Sequence, residues 1–205
     1  MHPEPTSICE NQQIHSVSVR GLVEFLLQEG DLTPGSFQKR NRAQAGTQGH
    51  RRVQRSRPEG YQSEVEIAFR IPGENPPIEI RGRIDGLDTT QEPVLIEEIK
   101  TTTLVLNLVH ENHNSLHWAQ AKCYAYIFAQ QENLSDIRIH LTYYQLDSQT
   151  EKTFERDFTV IELEVFFNAL VASYLSWFRK VRERRIRRDQ TIQELNFPYA
   201  DYRPG

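Results

Sequence analysis

The sequence predicts a mixed α/β (α+β) fold, with a central mixed sheet of about five strands flanked by helices. Three observations carry the expectation. Five stretches read as strands: Tyr61–Ile71, Ile78–Leu87, Val94–Thr102, Ile137–Leu146 and Thr153–Thr159. Stretches with helical spacing stand before, between and after them. The first three strands are joined by short links, which suggests an antiparallel meander, while a whole helix separates the third from the fourth. The element order α-α-β-β-β-α-β-β-α puts helices on both sides of the sheet.

The elements follow in order. Residues 1–14 are polar with two prolines near the start, and are expected to be flexible. Ser18 is placed to cap a helix through Val19, Leu22, Val23, Leu26 and Leu27, with Gly30 as its stop. A Pro-Gly turn follows within Leu32–Phe37. From Lys39 to Arg57 there are seven Lys/Arg (Lys39, Arg40, Arg42, Arg51, Arg52, Arg55, Arg57) and no acid. His50 lies among them, in an expected helix from about Ala43 to Ser56. Exposed helices commonly intersperse both signs, so this run reads as a phosphate-contacting face more readily than as a merely solvated one. In Tyr61–Ile71 the residues Val65, Ile67 and Phe69 share a face and Glu64 and Glu66 the other. Asn114–Gln131 is helical, with Trp118, Ala121, Tyr124 (or Ala125) and Phe128 following helical spacing. Ile161–Arg188 is a long helix whose expected core stripe is Leu163, Phe166, Phe167, Leu170, Tyr174, Trp177 and Val181. Its Arg-rich end is partly dipole complementarity and leaves room for a nucleic-acid backbone or a neighbouring domain.

Composition bounds the function. With 38% hydrophobic and 25% charged residues, the 205-residue chain fits a soluble globular protein. A formal charge of −4 means that any attraction to nucleic acid is local rather than global. Cys9 and Cys123 offer neither a disulfide framework nor a cysteine metal motif, and Cys123 is expected to pack as a small hydrophobe. No signal peptide is legible and no stretch reads as a membrane span, so a cytoplasmic setting is expected.

The chemistry concentrates in Gly82–Lys100. Asp85 lies near the end of one strand, and Glu98 and Lys100 lie two apart on the next, so the latter two share a face. If the strands pair, Asp85 approaches that face. Two clustered carboxylates repel unless a cation sits between them, and hard divalent ions choose oxygen ligands. This is the pattern of a metal site for phosphodiester hydrolysis, with Asp85 and Glu98 holding Mg²⁺ or Mn²⁺ and the backbone carbonyl of Ile99 as a further ligand. Lys100 would orient the water or neutralise charge, and the His50 imidazole would tilt the site toward Mn²⁺. An isolated ExK triplet also occurs on ordinary polar sheet faces. Ile99 is expected to point into the core, and Glu97 to be a bystander facing the other way.

Asp85 in GRIDG, Glu98-Ile99-Lys100, and Gln120 with Tyr124 together resemble the PD-(D/E)xK nuclease superfamily. With His50 upstream they resemble its RecB-type branch. The resemblance implies a restriction-endonuclease-like core and an Mg²⁺- or Mn²⁺-dependent deoxyribonuclease. It makes His50, Asp85 and Glu98 metal ligands and Lys100 the catalytic lysine, and sets Gln120 and Tyr124 beside the site. Glu64 is a weaker candidate for an outer acidic position. Unlike relatives with a four-cysteine iron–sulfur cluster, this chain is expected to hold none. The end, Asn196–Gly205 (NFPYADYRPG), resembles the opening of an XPD-like DNA helicase, although no nucleotide-binding loop is present. The implied organisation is a nuclease domain at 15–195 and a linker at 196–205 toward a helicase motor in cis. The implied substrate is single-stranded or flapped DNA, with DNA repair as the setting. The alternatives are a catalytically silent docking module on the same fold and a nuclease acting on RNA.

Overall fold

Ser18 ends a strand and starts a helix, and this junction shapes one edge of the sheet. A short strand, β1 (His15–Ser18), runs directly into helix α1 (Val19–Leu27). The Ser18 side chain accepts a hydrogen bond from the Gly21 N–H at 2.9 Å, the N-cap expected from sequence. Val19, Leu22 and Val23 are buried. The helix ends at Leu27, short of Gly30. The structure, a computed structural model, describes residues 14–28 and 39–194, with the side chains of 39–43 and 194 left aside. The expectations for the flexible start, Gly30, the Pro-Gly turn and the 196–205 linker lie outside these residues.

The remaining elements are α2 (Lys39–Arg55), β2 (Gln62–Ile71), β3 (Ile78–Asp88), β4 (Leu95–Thr102), α3 (Ser115–Glu132), β5 (Asp136–Gln145), β6 (Glu151–Thr159) and α4 (Val160–Glu194). A single 3₁₀ turn, Leu106–Leu108, precedes α3. Strands β2, β3 and β4 form the expected antiparallel meander. Strand β4 runs parallel to β5 through eight residue pairs, with α3 as the crossover. Strand β6 closes the sheet antiparallel to β5. The sheet therefore has six strands, one more than expected. The extra one, β1, has too few residues to alternate visibly, and it is held by parallel pairing to the first part of β3.

One edge of β3 is shared. Strand β2 takes the other edge from Ile78 to Leu87. On the shared edge β1 pairs with residues 78–81 and β4 with residues 86–88. Between them, residues 82–85 have no strand partner on that edge among the described residues. The chain thus builds a notch where β1 turns away into α1 and β4 splays from β3.

Helix α3 is buried on nearly every side, as befits a helix apolar all round. Asn114 caps its start, and Asn133, at φ 53°, ends it in the left-handed conformation. Cys123 is fully buried and free, packing as a hydrophobe. Helix α2 lies over a separate small cluster of Val53, Ile99 and Tyr144. It closes on β4 because Gly49 has no side chain: a Cβ there would lie 2.6 Å from the Thr101 methyl group.

In α4 the residues Leu163, Phe167, Leu170, Val171 and Tyr174 are buried. The expected stripe stops there. Phe166, earlier on the helix, is partly buried against the core, and Trp177 is 41% exposed where the helix runs past the body. Residues 182–193 are exposed throughout. By length and composition α4 is apolar enough to cross a membrane, a test that core helices of globular proteins also pass. Its apolar first half is instead packed on the protein core.

Candidate active site

The notch between β3 and β4 opens into a cavity of about 940 Å³. Asp85, Glu98, Lys100, His50, Gln120 and Tyr124 all line it, so the structure brings the predicted side chains into one cavity. Asp85 stands where the β3–β4 ladder fails. Its Oδ2 accepts the Ile99 N–H at 2.8 Å, taking the place of a strand partner. Its Oδ1 lies 3.4 Å from His50 Nδ1. Ile99 itself is buried against α2, and its backbone stands between Glu98 and Lys100 on β4.

Glu98 is 1% exposed. Oε1 lies 2.5 Å from Lys100 Nζ, whereas Oε2 is buried with no hydrogen-bond partner. Burial raises this carboxyl to about 7, with Lys100 opposing the shift and the charge of Asp85 adding to it. An orphaned buried carboxylate oxygen is costly unless something absent from the protein completes it. A cation supplies what Oε2 lacks, so the donor set fits a divalent ion even though no group of three or more His, Cys, Asp and Glu is gathered for one among the described residues.

Lys100 is held from the other side. Its Nζ donates to Gln120 Oε1 at 3.0 Å, and Gln120 Nε2 donates to the Tyr124 hydroxyl at 3.0 Å. The two residues lie one turn apart on α3, the spacing that makes such a relay possible. Burial, reinforced by the charge of Glu98, raises the Tyr124 hydroxyl well above its ordinary value, so it stays protonated. For His50 burial works against the charged form. Its hydrogen bond to Asp85 and the charges of Asp85 and Glu98 outweigh that, leaving its pKa raised.

The basic run divides. Arg51 lines a second cavity of about 550 Å³ that shares Arg20, His50, Arg83 and Asp85 with the first. Arg52 and Arg55 are exposed and border neither cavity. The side chains of Lys39, Arg40 and Arg42 lie outside the described residues. Arg57 is spent internally, on Glu97 and Glu151.

Glu97 is no bystander. It faces away from Glu98, as strand alternation requires, but it is 1% exposed and heavily bonded. Arg57 donates to both its oxygens, at 2.9 and 2.5 Å. The Tyr61 and Thr142 hydroxyls donate at 2.7 and 2.5 Å. The adjacent carboxylates are thus opposites: Glu97 is fully satisfied, and Glu98 is half empty.

Several site residues escaped the sequence reading. Gln54, one turn beyond His50 on α2, donates to the Asp85 backbone carbonyl at 2.8 Å and to Glu64 Oε1 at 3.0 Å. Glu64, already named from sequence as an outer acidic candidate, lies between Ser63 and Val65, which pair with Gly86 and Ile84, and has φ 59°, in the left-handed region. Its Oε2 pairs with Arg83 at 2.6 Å, so its carboxylate is already occupied. Arg20, Arg81 and Arg83 line the main cavity from β3 and α1. Both glycines of GRIDG are forced by close approach. A Cβ on Gly82 would lie 2.4 Å from the Tyr124 ring, and one on Gly86 would lie 1.5 Å from the Tyr61 hydroxyl. Those two glycines are the signal that was available.

Strands splayed around an acid pair and a lysine, in a mixed sheet with helices on both faces, define the class of restriction-endonuclease-like folds. The chain matches the model of the PD-(D/E)XK nuclease superfamily over residues 12–203 and belongs to that superfamily, whose members are generally hydrolytic nucleases. Among solved structures it is similar to SSO0001, at 17% identity over 77% of this chain and 76% of that one, with a TM-score of 0.44. Among curated proteins nothing matches.

Proposed function

We propose that the protein is a divalent-metal-dependent deoxyribonuclease of the RecB-type branch, acting on single-stranded or flapped DNA. The observation that carries this is the buried, partnerless Oε2 of Glu98 beside Asp85. The branch is supported by His50, Asp85, Glu98-x-Lys100 and Gln120-x-x-x-Tyr124 occurring in that order and lining one cavity.

In this reading Asp85, Glu98 and the Ile99 carbonyl hold Mg²⁺ or Mn²⁺, with His50 as a nitrogen donor that favours Mn²⁺. The bound ion supplies Lewis-acid charge for attack of water on phosphorus. Lys100, aimed by Gln120, orients that water and offsets charge building on the phosphate oxygens. As the water oxygen bonds to phosphorus, the bond to the leaving sugar oxygen breaks. Arg20, Arg51 and Arg83 at the rim grip flanking phosphates. A helicase motor following in the full-length protein is supported by the resemblance of residues 196–205, and a reading frame that ends without one removes that part.

The test is cleavage of end-labelled single-stranded, duplex and flapped DNA with Mg²⁺, Mn²⁺ or EDTA. Metal-dependent cutting favouring single-stranded or flapped DNA is expected, and Asp85→Ala and Lys100→Ala should abolish it. Metal-independent cutting, or full activity in both variants, would refute the assignment. Binding without cutting in every metal would instead favour a silent docking module.

A further inference from the structure

A further concavity lies between the start of β1 and α4, about 620 Å³ in volume. His15, Tyr174, Trp177, Phe178, Arg182 and Arg185 line it. Its rings form a continuous surface. His15 and Phe178 lie 4.7 Å apart, Tyr174 and Trp177 5.7 Å, and Trp177 reaches Phe25 at 4.6 Å. Trp177 and Phe25 are 41% and 50% exposed, so two of the largest apolar side chains meet solvent side by side.

We infer that this groove is a stacking site for unpaired bases of the DNA strand whose scissile phosphate occupies the Asp85–Glu98 cavity, an inference that rests on the nuclease reading above. Charge identifies the occupant. Phe178, Arg182 and Arg185 recur at helical spacing on one side of α4. From Arg179 to Arg188 there are seven Lys/Arg and one acid, in a chain whose net charge is −4. Arg184, Arg185 and Arg187 make no ion pair among the described residues. An apolar surface of tilted rings, edged by Arg185, which makes no ion pair among the described residues, and by Arg182, which also donates to the Asn75 carbonyl, fits a ligand that is aromatic and polyanionic at once. Single-stranded nucleic acid is such a ligand, and every base has a face to stack. An apolar protein partner would leave these arginines without counter-charges.

Position agrees with this. Strand β1 joins the two sites: His15 lines the groove, and Ser18, three residues on, lines the catalytic cavity. At about 3.3 Å per residue they are roughly 10 Å apart along the strand. They lie on opposite faces of β1, which pairs with β3 alone among the described strands. A polynucleotide therefore reaches from one to the other by rounding the free edge of β1. A flexible single strand turns such a corner and a duplex does not.

The experiment uses the whole chain in EDTA with an oligothymidylate of about 12 nucleotides, within the range of single-strand site sizes. Tryptophan fluorescence reads stacking, since the other tryptophan, Trp118, is 8% exposed. Anisotropy of a labelled oligomer reads affinity for Trp177→Ala and for Arg182→Glu/Arg185→Glu. Both variants are surface changes, and melting with the wild type checks their fold. The expected result is quenching in the wild type and about a tenfold loss of affinity in each variant. Affinity unchanged in both variants overturns the proposal. So does affinity that depends on the arginines alone, with no quenching. Failure of the wild type to bind the oligomer also overturns it and leaves the patch as a protein-facing surface. Wild-type cleavage with Mg²⁺ or Mn²⁺ is scored separately. Quenching without cleavage keeps the groove and removes the nuclease reading, while cleavage without quenching does the reverse.

Discussion

At the residue scale the telling comparison is between neighbours on one strand. Glu97 and Glu98 are equally buried, yet one accepts hydrogen bonds from three side chains and the other keeps an empty oxygen. The empty oxygen has a thermodynamic signature. Glu98 binds a proton more tightly in the folded protein, at about 7 against an ordinary 4.5. The metal-free fold is therefore favoured below pH 4.5 and loses that contribution as pH rises through about 7, on the order of 3 kcal/mol. Denaturation across that range should show stability falling with pH in the wild type and falling less in Glu98→Gln. Equal slopes would mean that Glu98 is not the raised group. Added Mn²⁺ should raise Tm more at pH 8 than at pH 5.5, because the ion competes with protons for the same oxygens. A third expectation concerns Gly82. The Gly82→Ala methyl collides with the Tyr124 ring, which should cost about 1–3 kcal/mol in urea unfolding and shift the tyrosine that ends the Lys100 relay.

At the element scale, what was legible followed from periodicity and capping. Ser18 was readable as an N-cap and α3 nearly to the residue, because Asn114 and the apolar run mark its bounds. Asp85, Glu98 and Lys100 were readable because strand alternation fixes which side chains share a face. Glu97 was not, because its partners Arg57, Tyr61 and Thr142 come from the α2–β2 connection and from β5, contacts that no local pattern encodes. Gln54 was missed for the same reason: its target is a backbone carbonyl freed where the ladder breaks. Glu97 ties β4, β5 and the segment after α2 together. Glu97→Ala leaves Arg57 with Glu151 as its remaining acidic partner. It should cost about 3 kcal/mol and weaken cleavage by loosening α2, which carries His50. Calorimetry that shows no destabilisation would contradict the clamp.

At the scale of the whole molecule, the candidate site lies in a defect of the sheet. Strand β3 gives one edge to two partners in turn, and the site fills the gap left between them. The mixed α/β class was legible, since strand and helix periods differ. The notch was not: β1 is four residues long, and its parallel pairing with β3 is a long-range choice invisible in its own sequence. The exposed second half of α4 was misjudged in the same way, because periodicity marks an apolar face without saying where the partner surface ends. The central claim is a division of labour, with Asp85 and Glu98 holding the ion and Lys100 serving the water. Calorimetric titration of Mn²⁺ into the wild type, Asp85→Ala, Glu98→Gln and Lys100→Ala tests it most directly, with DNA cleavage scored on the same samples. Mn²⁺ binding should be lost in the two carboxylate variants and retained in Lys100→Ala, while all three should fail to cut. Undiminished Mn²⁺ binding in Asp85→Ala and Glu98→Gln would contradict it.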